Sequence, residues 1–188
     1  MTRPTVDQVS DRALVLYAFA RRATIELALG EFHHEPSRVA QAEVARVETD
    51  RWLERESLTD TLTDLERRLF EAGSGAWPQP AIDDALWRRE ALGVLLWALG
   101  HVAEMAPYGE EFPAHDLDAS VTRYGSVDAF RTEGRLRSDD EIEAAWMEAD
   151  AWFGATEGRD GEDAAVASMA AERFRALSWL RDADAAPA

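Results

Sequence analysis

The residues best suited to chemistry lie on and just after the most apolar stretch of the chain, WRREALGVLLWALG at positions 87–100. A helix through this stretch has one face with polar and aromatic side chains at intervals of seven, eleven and fourteen residues: Glu90, Trp97, His101 and Glu104. A carboxylate among apolar side chains is either paired or has its pKa raised, and a raised carboxyl pKa is typical of general acids. Glu90 is therefore the first candidate for a functional residue.

Two interpretations of Glu90 stay open. In the first, Glu90 and an arginine line a pocket that binds a ligand, or Glu90 acts as a general acid. In the second, it forms a buried ion pair that fixes helix packing, and its partner is Arg22, Arg173 or Arg175. The ion pair is favoured, because structural pairs shift pKa values as readily as catalytic ones.

A metal site is a second possible use of these residues. His101 and Glu104 are one helical turn apart, and the sequence EFHHEP could add His33, His34 or Glu35. Together they form a histidine and carboxylate set of the kind that zinc and iron accept. Glu90 cannot share an ion with His101, because a rise of about 1.5 Å per residue separates them by roughly 16 Å. A di-iron bundle also needs Glu-x-x-His pairs on two helices and glutamates on two more, which the predicted helices do not supply. No metal or other cofactor is therefore expected.

Other catalytic patterns are missing from the sequence. Gly73-Ser74-Gly75 follows a predicted helix rather than a strand, so it is not the nucleophile elbow of a hydrolase. No glycine-rich phosphate loop or dinucleotide-binding motif is present. The tryptophans occupy apolar helical positions typical of a core, apart from Trp77, which lies in the linker GSGAWPQP and could cover a pocket.

The elements that would position these residues are helices. Apolar residues repeat at helical spacing and no stretch alternates as a strand does, so the sequence predicts an all-α fold. We expect a single domain over 1–188, a bundle of about six main helices around a central apolar helix at 81–106, which Pro107 ends. Residues 107–137 are predicted to be irregular because their periodicity is poor, although 117–124 and 127–130 could each form a short helical turn. Residues 181–188 are predicted to be a disordered tail.

Local motifs predict where some helices begin and where the chain turns. Thr63 and Ser138 are each followed three residues later by a glutamate, the pattern of a capping box, in which both side chains accept backbone N–H groups. The sequence EGRDGED predicts a turn before the last helix.

Composition restricts the compartment and the partners. No cysteine occurs, which excludes disulfides and cysteine-bound zinc, and the N-terminal residues lack the apolar stretch of a secretory signal. Acidic residues number 37 against 20 basic ones, a net charge of −17, and from Asp139 onward 13 acids accompany 4 arginines. This charge repels nucleic acid and anionic membranes, so we expect a cytoplasmic protein with neither of these partners.

Several motifs resemble those of a known family. They are Arg51-Trp52-Leu53, Leu62-Thr63-x-x-Glu66, Glu90-Ala91-Leu92-x-x-Leu95-x-Trp97-Ala98-Leu99-Gly100, Ser138-x-x-Glu141-Ile142 and Glu172-Arg173-x-x-Ala176-Leu177-x-Trp179-Leu180. Together, from about Arg12 to Leu180, they resemble bacterial proteins grouped as domain of unknown function 4272. The sequence departs from that pattern after Trp152, where an arginine commonly follows, and at Ser178, where asparagine is common. The resemblance implies a helical intracellular domain, supplies no catalytic residue and suggests that Glu90 and Arg173 belong to one design.

Three functional hypotheses follow. The leading one is a non-enzymatic interaction protein whose acidic surface binds or neutralises a protein with a basic face. The alternative is a metal-dependent, hydrolase-like enzyme that uses His101 and Glu104 with the EFHHEP loop. A third is a homodimer in which an apolar helix face is completed across a two-fold axis.

Overall fold

A computed structural model describes residues 2–156, 164–185 and 187 of the chain. In these residues the chain forms eight α-helices, one 3-10 turn and no strand, which confirms the all-α prediction. The helices are α1 (Val6–Glu31), α2 (Pro36–Arg55), α3 (Asp64–Glu71), α4 (Gln79–Ala98), α5 (Ala114–Thr122), α6 (Val127–Glu133), α7 (Asp139–Thr156) and α8 (Ala164–Arg181). The 3-10 turn, Thr59–Thr61, lies between α2 and α3. None of these helices is long and apolar enough to cross a membrane.

The helices form two compact units, which we call unit 1 (residues 1–13 and 87–188) and unit 2 (residues 14–86). The boundaries between them fall within α1 and α4. Unit 2 has a core of its own, in which Phe19, Trp77 and Ile82 are buried together. In unit 1, α7 packs against α8. The assignment of 1–188 to one domain, with six main helices around a central one, stays a prediction.

The central apolar helix of the sequence analysis is α4, and its buried stretch is continuous. Every residue from Glu90 to Leu99 is buried, so the helix is covered on all sides there. It ends at Ala98, however, and not at Pro107 as predicted. His101 and Glu104 therefore lie beyond the helix and do not share a helical face with Glu90.

Gly100 ends the helix. Its φ of +74° lies in the left-handed region, which glycine adopts at little cost. The N–H of His101 donates to the carbonyl of Leu96 at 2.9 Å, and that of Gly100 to Trp97 at 3.0 Å. This pair of bonds is a Schellman motif, which satisfies carbonyls at the end of the helix well before Pro107.

The segment 107–137 is irregular only in part, because it contains α5 and α6. The hydroxyl of Ser126 accepts the N–H of Ala129 at 3.1 Å and caps α6. Both helices lie where short helical turns were considered possible, at 117–124 and 127–130, and each is longer than a single turn. They bury few residues, Leu117 and Phe130 among them, so their period in the sequence is brief.

Both predicted capping boxes are confirmed. The Thr63 hydroxyl accepts the N–H of Glu66 at 3.3 Å, and the Glu66 carboxylate accepts that of Thr63 at 2.9 Å, at the start of α3. Ser138 and Glu141 exchange the equivalent bonds, at 3.3 and 2.9 Å, at the start of α7.

Two further predictions concern the end of the chain. The EGRDGED turn, at 157–163, lies outside the described residues. The tail predicted at 181–188 is described only in part, where the N–H of Ala183 donates to the carbonyl of Thr2 at 2.7 Å. Its disorder stays a prediction.

If Gly100 sets the helix end, alanine there should be destabilising. Gly100→Ala forces a β-carbon into the left-handed region and should lower the free energy of unfolding by about 1 kcal/mol. Gly30→Ala is the matched control, because Gly30 lies within α1 at an ordinary φ with open space around it, and should raise that energy by about 0.5 kcal/mol. Urea unfolding followed by circular dichroism measures both. Equal effects of the two substitutions would contradict a special role for Gly100.

Candidate functional site

Glu90 in α4 is paired with Arg173 in α8, inside unit 1. Both side chains are buried, with 2% of Glu90 and 1% of Arg173 exposed. Atoms Nε and Nη2 of Arg173 each lie 2.7 Å from Oε2 of Glu90. The other oxygen, Oε1, accepts the backbone N–H of Phe112 at 2.9 Å. Both oxygens of the carboxylate are therefore engaged.

The remaining donors of Arg173 hold the loop that follows α4. Nη1 donates to the carbonyl of Ala106 at 2.7 Å and to that of Pro107 at 3.3 Å, while Nη2 donates to the carbonyl of Glu110. The guanidinium carbon also lies 4.8 Å from the ring centroid of Phe112. We call Glu90, Arg173 and Phe112 the unit 1 clamp, because they fasten irregular backbone to two helices.

Gly93 provides the space for this clamp. A β-carbon at Gly93 would lie 2.4 Å from the ring of Phe112, far inside van der Waals contact. The glycine therefore lets the ring lie directly against α4. A glycine inside a helix costs up to about 1 kcal/mol relative to alanine, so a glycine within so apolar a stretch is a sequence signal of close packing that is separate from the apolar periodicity.

The electrostatics of the clamp favour a structural role. Burial raises the pKa of Glu90, while the charge and hydrogen bonds of Arg173 and the N–H of Phe112 act in the opposite direction. Each guanidinium nitrogen of Arg173 lies within hydrogen-bond distance of a carboxylate or carbonyl oxygen of the chain itself. Such saturation is what a buried ion pair needs to be stable.

The other arginines considered as partners of Glu90 have different acceptors. Arg175 forms an ion pair with Glu172, on the same helix. Arg22 lies in unit 2, where its Nε and Nη2 donate to Glu26 at 2.9 and 2.8 Å and its Nη1 donates to Asp50 at 3.2 Å.

Arg22 belongs to a second cluster with the same plan, which we call the unit 2 clamp. The carboxylate of Glu26 accepts the backbone N–H of Trp77 at 3.4 Å, and the Arg22 guanidinium lies 5.6 Å from the Trp77 ring. Nη2 of Arg22 also donates to the carbonyl of Ala72 at 3.4 Å. In both clamps, then, a glutamate binds the N–H of the aromatic residue whose ring faces the arginine. Trp77 is thus a buried core residue that anchors its linker.

Trp97 does not share the contacts of Glu90. It contacts Arg137, whose guanidinium lies 4.7 Å from the indole centroid and whose Nε donates to the Trp97 carbonyl at 2.9 Å. This contact fastens the segment before α7 to the end of α4, so Trp97 is a packing residue at that position.

His101 forms a separate buried cluster in unit 1. Arg123 donates to the Tyr124 hydroxyl at 2.6 Å, and that hydroxyl lies 2.6 Å from Nδ1 of His101, to which it can donate its proton. The imidazole also packs on Phe130, with ring centroids 4.3 Å apart. Burial lowers the pKa of His101 to about 4, and the positive charge of Arg123 acts in the same direction. His101 is therefore a neutral hydrogen-bond acceptor near neutral pH.

The other proposed metal ligands are exposed. Glu104 is exposed beyond the end of α4. His33 and His34 are exposed in unit 2, and Nδ1 of His33 lies 2.7 Å from the carbonyl of Gly30. Within residues 2–156, 164–185 and 187, no group of three or more histidine, aspartate or glutamate side chains is placed to hold a metal ion.

Comparisons with known proteins support the resemblance found in the sequence. A family model described as "Domain of unknown function (DUF4272)" matches residues 1–187. No curated protein and no solved structure matches the chain. The match therefore covers both units and both clamps, and it attaches no activity to them.

Removing the charge of Glu90 should test the unit 1 clamp. Glu90→Gln leaves the buried Arg173 without its carboxylate and should lower the free energy of unfolding by about 3 kcal/mol. The matched control is Glu141→Gln, because glutamine can replace glutamate in a capping box, and it should leave stability close to that of the wild type. Urea unfolding at neutral pH gives both values. A loss for Glu90→Gln as small as that of the control would show that the pair is dispensable.

His101 should make stability depend on pH in the mildly acidic range. Its folded pKa of about 4 lies below its ordinary value of 6.5, so on acidification through 6.5 the unfolded chain gains a proton that the folded chain does not. The stabilisation is present above that value and is lost as the pH falls towards 4. Between about pH 7 and about pH 5, His101→Gln should therefore lose roughly 2 kcal/mol less stability than the wild type.

Urea unfolding of the wild type and of His101→Gln, repeated across the pH range, measures this difference. If His101→Gln follows the wild-type curve, the imidazole does not titrate as its environment indicates.

Proposed function

The chain belongs to the family of domain of unknown function 4272, and we propose that it is a non-enzymatic interaction protein whose acidic surface binds a protein with a basic face. The partner and the cytoplasmic location predicted from the sequence are part of this proposal. The unit 1 clamp supports it, because Glu90, the residue considered as a general acid, and Arg173 are bound to each other and to the chain's own backbone.

The observation that carries the proposal is the charge exposed on unit 1. Among its described residues, the exposed charged side chains are nearly all acidic. The exposed arginines are Arg123 and Arg135. The exposed acids are Asp7, Glu104, Glu110, Glu111, Asp116, Asp118, Asp128, Glu133, Asp139, Asp140, Glu141, Glu148, Asp150 and Asp184.

Other arginines of unit 1 are only partly exposed and make contacts within it. Arg131 donates to Asp11 at 2.7 Å, and Arg181 donates to Glu143 at 2.6 Å. The Arg181 guanidinium also covers the ring of Trp146 at 3.7 Å. Each such pair neutralises one acid and one arginine. Acids outnumber arginines in unit 1, so the acids in excess leave its exposed surface negative. A surface of one sign attracts basic partners, speeds their association and repels polyanions.

Capture from a native lysate tests the proposal. The immobilised full chain should retain a basic protein in stoichiometric amount at about 0.05 M salt and release it by about 0.5 M, because salt screens exposed charges. A variant of unit 1 neutralised at exposed acids, Glu104→Gln with Glu110→Gln, Glu111→Gln and Asp116→Asn, should retain clearly less.

The matched control neutralises as many exposed acids of unit 2: Glu31→Gln with Glu48→Gln, Glu54→Gln and Glu71→Gln. It changes the net charge equally and should retain the partner as the wild type does. The proposal is wrong if no stoichiometric basic protein is recovered at any salt concentration, or if both variants behave alike.

A further inference from the structure

The solvent face of α7 is apolar along its centre. Ala144, Met147, Ala151 and Gly154 are all exposed, and their spacing of three, four and three residues aligns them on one side of the helix. Met147 is 61% exposed, more than any other large apolar side chain described. A helix in a globular protein ordinarily presents charged and polar residues at the centre of its solvent face.

The opposite face of α7 already supplies the helix with a core. Ile142, Ala145 and Ala149 are buried there, and α8 packs against α7. The exposed apolar residues are therefore not required for the internal packing of unit 1. All but Met147 are alanine or glycine, so little side-chain volume covers the helix backbone there. A second helix can approach such a surface closely, and the flexible side chain of Met147 can adapt to it.

Acidic side chains border this apolar face. Glu148 and Asp150 lie on opposite sides of it, and Asp140 lies near its N-terminal end, all three exposed. On the Glu148 side, the Tyr108 hydroxyl donates to the Glu148 carboxylate at 3.5 Å, and the Tyr108 ring lies 4.8 Å from that of Trp152. Tyr108 is 41% exposed, so it widens the apolar face beyond the helix.

Charge complementarity identifies the occupant of this face. An apolar centre between acidic borders matches an amphipathic helix that has small apolar residues flanked by arginine or lysine. A second copy of the chain is disfavoured, because its own α7 would bring acids against acids in a molecule of net charge −17.

We propose that the α7 surface, formed by Ala144, Met147, Ala151 and Gly154 with Glu148, Asp150 and Tyr108, docks a basic amphipathic helix of the partner protein. This inference rests on the proposed function and adds the site and the shape of the partner. The apolar residues of the bound helix lie over Met147 and Ala151, and its basic residues reach Glu148 and Asp150.

A synthetic peptide provides the probe. The peptide is a helix of about 18 residues, roughly five turns, with leucine and alanine on one face and arginine at its borders. A peptide of the same composition, scrambled so that no apolar face remains, controls for charge alone. Fluorescence anisotropy of each labelled peptide with the full chain at low salt should show binding to the amphipathic peptide at least about tenfold tighter than to the scrambled one.

Variants of the protein then locate the site. Ala151→Arg places bulk and positive charge at the centre of the face and should weaken binding at least about tenfold. Ala119→Arg, the matched control, makes the same change at an exposed alanine of α5 beside Asp118, and should leave binding unchanged. Met147→Ala removes apolar contact without changing charge and should weaken binding about fivefold.

Three outcomes of these binding measurements would contradict the inference. No binding of the amphipathic peptide, equal binding of the two peptides, or equal loss in Ala151→Arg and Ala119→Arg would each exclude a helix-docking site on α7. The lysate capture distinguishes this failure from that of the proposed function. If Ala151→Arg still retains the basic partner as the wild type does, the α7 surface is wrong while the proposed function stands; if the wild type retains none, both are wrong.

Discussion

A buried arginine is the constraint on which the rest of the structure depends. A guanidinium taken out of water loses its hydration, and the loss is offset only when acceptors surround its donors. Glu90 alone cannot surround Arg173, so backbone carbonyls of Ala106, Pro107 and Glu110 complete the set. The loop after α4 must pass where these carbonyls are needed. A polar requirement inside the core thus determines the course of backbone that has no regular structure of its own.

The same solution occurs in each unit with different residues. In unit 2, Arg22 binds Glu26 and the carbonyl of Ala72, and Glu26 binds the N–H of Trp77 in the linker before α4. The aromatic ring in each clamp covers the guanidinium and shields it from water, which strengthens its hydrogen bonds. Because a carboxylate and an arginine together accept and donate, each clamp can satisfy both kinds of backbone group in one short stretch. That explains why a glutamate, an arginine and an aromatic residue recur as a set.

The sequence alone predicts the fold class and the start of some helices, but not the path of the loop that completes the buried site. Periodicity and capping boxes predicted the all-α class and the starts of α3 and α7, because those features depend on neighbouring residues. Arg173 was among the candidate partners of Glu90, but the carbonyls that complete its site come from a loop whose path no local pattern encodes. The helix end at Gly100 was not predicted, because the apolar periodicity continues to Val102. The end depends on the left-handed conformation of one residue, which the periodicity does not reveal.

The interpretation of His101 depended on the helix end that was wrongly predicted at Pro107. On a continuous helix His101 would share a face with Glu90 and lie one turn from Glu104, and both the metal hypothesis and the separation of roughly 16 Å assume this geometry. Once Gly100 reverses the chain, the imidazole enters the core beside Tyr124 and Phe130 and becomes a neutral acceptor. The polar residues that first suggested catalysis are in this way bound within the fold. The excess of acids lies on the surface, together with the exposed apolar face of α7, and the proposed recognition of another protein rests on this distribution.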